Sequence, residues 1–243
     1  MRKLIIALSL AVSGCFSIPK NRVIISETKS QAEQQALTPW AALQKLKQGN
    51  ERFLTNNPRE RDLSAQVASS EKQFPFAVLL SCMDSRGSPE LIFDQGIGDI
   101  FAQRLAGNVA NADVLGGLEF ATKLVGAKLI VVLGHTSCGA VKGACDQAKL
   151  GNLSQLLDKI KPAVRTIHKH DHNMSCDAPS VDKIAEQNVR DIIKQIKKQS
   201  PVIANLIKEG KVGLIGGMHD LATGKVSFFE EKKLLPGSPH SGL

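Results

Sequence analysis

The chain predicts an α/β fold with a mainly parallel central sheet of four to five strands flanked by helices, and three observations lead there. Short continuous apolar runs occupy residues 76–80, 129–133 and 212–215, with a related run at 100–105, as in strands covered on both faces. Longer stretches of helical period separate them. Strands that alternate with helices must cross over between strands, and so align in parallel.

Taken in order, residues 1–14 place Arg2 and Lys3 before an apolar run over 4–12 and the small pair Ser13-Gly14. This is the pattern of a secretory signal, too short for a permanent membrane span. With Cys15 next, the ending resembles a bacterial lipoprotein processing site, in which the cysteine is lipidated and becomes the new N-terminus. An ordinary signal peptide cut nearby, with Cys15 incidental, is the alternative. Phe16 stands where Asp would favour inner-membrane retention, so the expectation is a periplasmic protein anchored to the outer membrane. Residues 15–37 read as a polar tether and 38–243 as one domain.

Thr38 and Pro39 open a helix with Trp40, Leu43, Leu46 and Phe53 on about one face, packing either on its own core or on a second copy. Residues 56–72 form a polar connection to the first strand at 76–80. Ser88-Pro89-Glu90 starts a short helix, and the second strand, 100–105, runs into Gly107-Asn108. A helix over 112–125, the third strand at 129–133 and a helix over 139–149 follow. Helical patterns cover 152–169 and 181–199, the latter amphipathic through Ile184, Val189, Ile192, Ile193 and Ile196. The fourth strand is 212–215, a fifth at 225–229 follows the turn at Thr223-Gly224, and 236–243 reads as a loose tail.

A chain of 243 residues, 42% hydrophobic and 22% charged, is long enough for a full core and has the balance of a soluble globular protein. Its formal charge of +8 is spread over lysines on helical stretches, without interleaved aromatics. These are solvated helix faces, and nucleic acid is not an expected partner. His168, His170 and His172 read as a solvated helix end, and His219 is too isolated to assign. Five cysteines are an odd count. Cys145 and Cys176 are expected as free buried thiols, a disulfide in an oxidising compartment being the alternative.

Residues 81–87 (SCMDSRG) and 133–139 (LGHTSCG) carry the chemistry. Each follows an apolar strand and precedes a helical pattern, so both fall at the carboxyl ends of strands, where ligands collect in such sheets. Cys82, His135 and Cys138 are two thiolates and an imidazole, suited to a borderline-soft ion with a fourth position open. Cys138 is expected near a helix N-terminus, which favours its thiolate.

Cys-x-Asp-x-Arg followed some fifty residues later by His-x-x-Cys, with the 93–111 stretch (FDQGIGDIFAQRLAGNVAN) between, resembles the β-class carbonic anhydrases. The resemblance covers roughly residues 40–229. It implies one Zn2+ per subunit on Cys82, His135 and Cys138, and reversible hydration of carbon dioxide to bicarbonate by zinc-bound hydroxide, that is, a carbonate dehydratase. Two thiolates weaken the ion as a Lewis acid, so activity is expected to favour mildly alkaline pH. Asp84 and Arg86 resemble the family's catalytic gating dyad, Arg86 holding the Asp84 carboxylate off the fourth position.

By the same resemblance Gln73, Phe101, Phe120 and Gly139 are substrate-site residues, the aromatic walls often coming from a neighbouring subunit, and a homodimer or dimer of dimers is implied. One branch of the family closes its site through a Trp–Arg–Tyr bicarbonate pocket. Here Leu79 replaces the Trp, there is no Tyr and only Arg104 matches, so an open zinc is expected. Two rivals remain: a non-catalytic zinc protein with Asp84 as permanent fourth ligand, and a hydrolase acting on carbonyl sulfide or carbon disulfide.

Overall fold

The computed structural model describes residues 23–172, 174–229 and 235–238, so the signal segment 1–14, Cys15 and the last five residues of the tail lie outside the described residues. Five strands form one sheet: β1 (Ala77–Ser81), β2 (Ile100–Arg104), β3 (Leu129–His135), β4 (Gly213–His219) and β5 (Val226–Phe228). Their spatial order is β2-β1-β3-β4-β5; the first four are parallel and β5 returns antiparallel on β4. The expected sheet is therefore present.

The helices are α1 (Gln31–Gln35), α2 (Pro39–Leu54), α3 (Leu63–Ala68), α4 (Pro89–Ile92), α5 (Ala112–Glu119), α6 (Gly139–Cys145), α7 (Gly151–Asp158), α8 (Lys161–His170), α9 (Ala178–Gln199) and α10 (Pro201–Lys208). Alternate strand residues face opposite layers, which is why these runs are apolar throughout. Ala77, Leu79, Leu129, Val131 and Ile215 pack with Leu43 and Leu46 of α2. Val78, Leu80, Ile130, Val132 and Leu214 pack with Leu118 of α5, Ile192 and Ile196 of α9 and Ile203 of α10. Helix α2 thus covers its own core. Its start follows the expected signals, with Thr38 accepting from the Ala41 N–H and Pro39 in the first position.

Several boundaries differ from the sequence reading, each for a local reason. The segment taken as tether is joined to the domain from Ile25 onward, where the Ile25 N–H donates to the Glu60 carbonyl. Ser30 and Glu33 form a capping box on α1, and buried Gln34 donates to the carbonyls of Pro75 (2.7 Å) and Val125 (3.1 Å). In the connection read as polar, Gln66 of α3 is likewise buried. The 152–169 helix is two helices, because Pro162 lacks an N–H and its ring crowds the carbonyl four residues back. Helix α10 was not expected, although Ser200-Pro201 repeats the Thr38-Pro39 signal and Ser200 Oγ caps the Ile203 N–H at 3.1 Å. Leu235–Ser238 is not loose: Leu235 is buried, and the Pro236 carbonyl accepts from the Trp40 N–H.

Cys145 and Cys176 form a disulfide, which corrects the expectation of free thiols. The end of α6 and the segment before α9 bring their Cα atoms to 5.8 Å, a distance a bridge spans without backbone movement.

Candidate active site

Three chain segments meet at the carboxyl ends of β1 and β3. Cys82 follows β1, His135 ends β3 and Cys138 is the N-cap residue of α6. All three are buried, and their ligand atoms lie within 4.8 Å of one another. The two sulfurs are 4.0 Å apart. Zinc–sulfur bonds of ~2.3 Å at a tetrahedral angle place two sulfurs about 3.8 Å apart, so this spacing fits.

His135 supplies the sharper test. Its Nδ1 donates to the Thr136 carbonyl at 2.9 Å, which fixes the tautomer and leaves a lone pair on Nε2. That Nε2 is buried with no partner. An orphaned acceptor beside two cysteine sulfurs fits a thiophilic cation.

The thiols respond to each other. Either sulfur can donate to the other; with the proton on Cys138, that contact and the Gly107 N–H at 3.3 Å hold Cys82 well below the usual thiol range and push Cys138 up. One proton shared between two buried sulfurs is readily displaced by a cation. Burial pushes His135 down, but its interaction with Cys82 outweighs this and the net direction is upward.

Gly107 must be glycine. Its φ is +64°, and a Cβ there would stand 2.5 Å from Ile160 Cδ1. Asn188, buried on α9, fixes the same residue from its other side by donating to the Gly107 carbonyl at 2.8 Å. The other ligand loop is held through the Ser137 N–H, which donates to Asp182 at 2.7 Å.

Asp84 faces Arg86 and not the ligand cluster. Its Oδ1 accepts from the Arg86 backbone N–H (3.0 Å) and Nε (2.9 Å), and its Oδ2 from Nη2 (2.7 Å). The Arg86 guanidinium holds the carboxyl well below its usual range, against the opposing effect of burial. Arg104 braces this loop by donating to the carbonyls of Cys82 and Asp84.

A small cavity beside the cluster is lined by Ser81, Cys82, Asp84, Gly87, Leu133, Gly134, His135 and His219. Sequence reasoning passed over His219, which β3–β4 pairing sets opposite His135. Burial and repulsion from His135 push His219 down. Its only sequence signal is its place at the end of an apolar strand, where the two ligand loops also begin.

The remaining expected residues are not part of this cavity. Gly139 opens α6, exposed, beside the cluster. Gln73 is exposed four residues before β1, at the other end of that strand from Cys82. Phe101 and Phe120 pack edge to face at 6.2 Å on the β2 side of the sheet. The rings of His168 and His172 approach to 6.1 Å at the end of α8. The clustered metal-binding groups found among the described residues are Cys82, His135 and Cys138.

A parallel α/β sheet with a sulfur, nitrogen and sulfur triad at its carboxyl edge, and a carboxylate–guanidinium pair beside it, defines an enzyme of the open-site metal-dependent kind. Residues 77–226 match the family model described as carbonic anhydrase. Carbonic anhydrase from Mycolicibacterium smegmatis is 34% identical over 195 residues, covering 77% of this chain and 92% of that one. The β-carbonic anhydrase CafA of Aspergillus fumigatus superposes with a TM-score of 0.63 at 27% identity, over 79% of this chain and 91% of that one. A tetrameric β-carbonic anhydrase from Sordaria macrospora shares the fold, with a TM-score of 0.61 at 24% identity over 79% and 91% of the chains. The chain belongs to the carbonic anhydrase family, and its fold is that of the β class.

Proposed function

We propose that this chain is an exported, zinc-dependent carbonic anhydrase interconverting carbon dioxide and bicarbonate, with Cys82, His135 and Cys138 as the zinc ligands. The orphaned Nε2 of His135 beside two buried sulfurs carries this reading. Zinc bound there supplies a Lewis acid that brings the ionisation of water toward neutral pH. Val109, Val141 and Ile160 keep the sulfurs dry. Asp84 orients the reacting water by accepting a hydrogen bond from it, and Arg86 keeps that carboxylate out of the fourth ligand position.

Stopped-flow hydration of carbon dioxide by zinc-loaded protein tests the assignment. Turnover that rises toward alkaline pH is expected, with Asp84→Ala slower by about 10²–10⁴-fold at unchanged zinc content. No turnover at alkaline pH favours a zinc-binding protein, and turnover of sulfur substrates alone favours the hydrolase.

The disulfide supports export, since such bonds persist in oxidising compartments. With it, residues 1–14 read as a signal peptide and Cys15 as the lipidated N-terminus of a periplasmic protein on the outer membrane. Fatty-acid label entering the wild type and not Cys15→Ala is the expected result. A homodimer or dimer of dimers is supported by the outer edge of β2, which no other described strand pairs, and by Phe120, exposed beside Phe101. In such an assembly Gln73, Phe101 and Phe120 act on a neighbour's substrate site.

A further inference from the structure

A second cavity lies at the amino pole of the sheet, away from the metal ligands. Phe76 and Asp99, which line it, stand directly before β1 and β2, whereas Cys82 follows the far end of β1. Its volume of about 450 Å³ falls within the roughly 300–1,000 Å³ usual for small-molecule sites. The basic side chains that line it are Lys29, Lys45, Arg52, Arg59 and Arg61.

The lining carboxylates are Glu27, Glu33, Asp94 and Asp99, and most are already engaged. Asp94 accepts from Arg52, Arg61 and the Arg59 backbone N–H. Asp99 accepts from Lys29 and the Gly96 N–H, and Glu33 from Ser30 in the capping box of α1. Glu27, which is exposed, is left over. On the cationic side, no described hydrogen bond or ion pair engages the side chains of Lys45 and Arg59. The buried Nε of Arg61 also lacks a partner.

Lys45 decides the sign of the cavity. Burial pushes its ammonium down, and repulsion from Lys29 and Arg59 adds to this and outweighs the attraction of Asp99 and Glu33. The potential at Lys45 is therefore positive even with the neighbouring carboxylates counted. An anion relieves that crowding. A guanidinium presents a planar fork to two oxygens and an ammonium a compact point charge, and both residue types recognise phosphate. A carboxylate brings one charge to two cations; a phosphate dianion brings two, with oxygens for both.

We propose that Lys45 and Arg59 bind a phosphate dianion in this cavity, carried either by free phosphate or by the headgroup of a phosphomonoester lipid. The lipid source is included because Val23 and Ile24, 85% and 58% exposed, line the same cavity and offer an acyl chain an apolar wall. The site shares no residue with the zinc ligands or the Asp84–Arg86 pair, so it stands apart from the carbonic anhydrase reading.

The test is calorimetric titration of the zinc-loaded full chain with inorganic phosphate at about pH 8, where phosphate is largely the dianion, at an ionic strength held constant with chloride. Saturable binding is expected in the wild type. Lys45→Gln and Arg59→Gln each weaken it by roughly tenfold or more, as for loss of a charged hydrogen bond, and the double variant abolishes it, with zinc content and Tm unchanged. A short-chain phosphatidic acid, kept below the concentration at which it forms micelles, separates the two sources. Tighter binding than inorganic phosphate assigns a lipid headgroup, and equal or weaker binding assigns free phosphate. A wild type that binds neither probe saturably overturns the proposal. Binding that persists undiminished in the double variant also overturns it, by placing the anion elsewhere.

Discussion

Gly107 shows how far a residue without a functional group can govern a metal centre. Its left-handed backbone carries an N–H to the Cys82 sulfur, and Ile160 leaves no room for a side chain. Gly107→Ala is expected to cost about 2 kcal/mol in urea unfolding and to weaken zinc retention against a chelator. Asp94 is the comparable case away from the site. It is 6% exposed, with φ of 46°, and Arg52, Arg61 and the Arg59 N–H all donate to it. Burial raises its pKa, but the two arginines outweigh that and the net shift is downward. Its contribution is therefore complete above the unfolded carboxylate value of about 3.9 and is lost as pH falls through the lower folded value. Asp94→Asn is expected to lose about 3 kcal/mol at pH 7, the gap closing below about pH 4. Equal stability of the two proteins at pH 7 would contradict this.

At the scale of elements, α6 joins the metal centre to the disulfide. Cys138 stands at its N-cap position and Cys145 is its last residue, seven positions on and bonded to Cys176. Closing a loop across a separation of 31 residues stabilises by about 3–4 kcal/mol in the chain-entropy account. Cys145→Ser, or reduction of the wild type, is expected to lower Tm and to speed zinc loss from the Cys138 end. A Tm indifferent to reductant would show that packing of α6 on α9 suffices. The same element shows what was legible in advance. Local signals marked its start, because a strand, a short loop and a helix-opening Gly139 lie within a few residues. Pairing of Cys145 with Cys176 depended on how α8 and α9 fold back, which no local pattern records. His219 and Asn188 were missed for the same reason: each acts through a partner distant in sequence. By contrast the clustering of Cys82, His135 and Cys138 was legible because each lies at the end of a strand or just beyond it.

For the whole molecule, the β2 edge is where assembly is expected to be decided. A strand whose outer edge no other described strand pairs, with exposed Phe120 against its Phe101, is a liability in a monomer and a natural junction between copies. Light scattering is expected to report at least a dimer, and Phe120→Asp to shift the population toward monomer. Wild-type monomer at micromolar concentration would place Gln73, Phe101 and Phe120 outside any substrate site. Among the described residues no helix is long and apolar enough to cross a membrane.

The docked Leu235–Ser238 carries a last consequence. Gly237 lies against Thr38 at the start of α2, and Leu235 and Pro39 both crowd Gly213, the first residue of β4. The start of α2 and the Leu235–Ser238 segment therefore share one pole, at the amino edge of the sheet, while Cys82 and His135 lie at the opposite one. Immobilisation through a residue near Thr38 is thus expected to leave the Cys82–His135 pole facing the bulk.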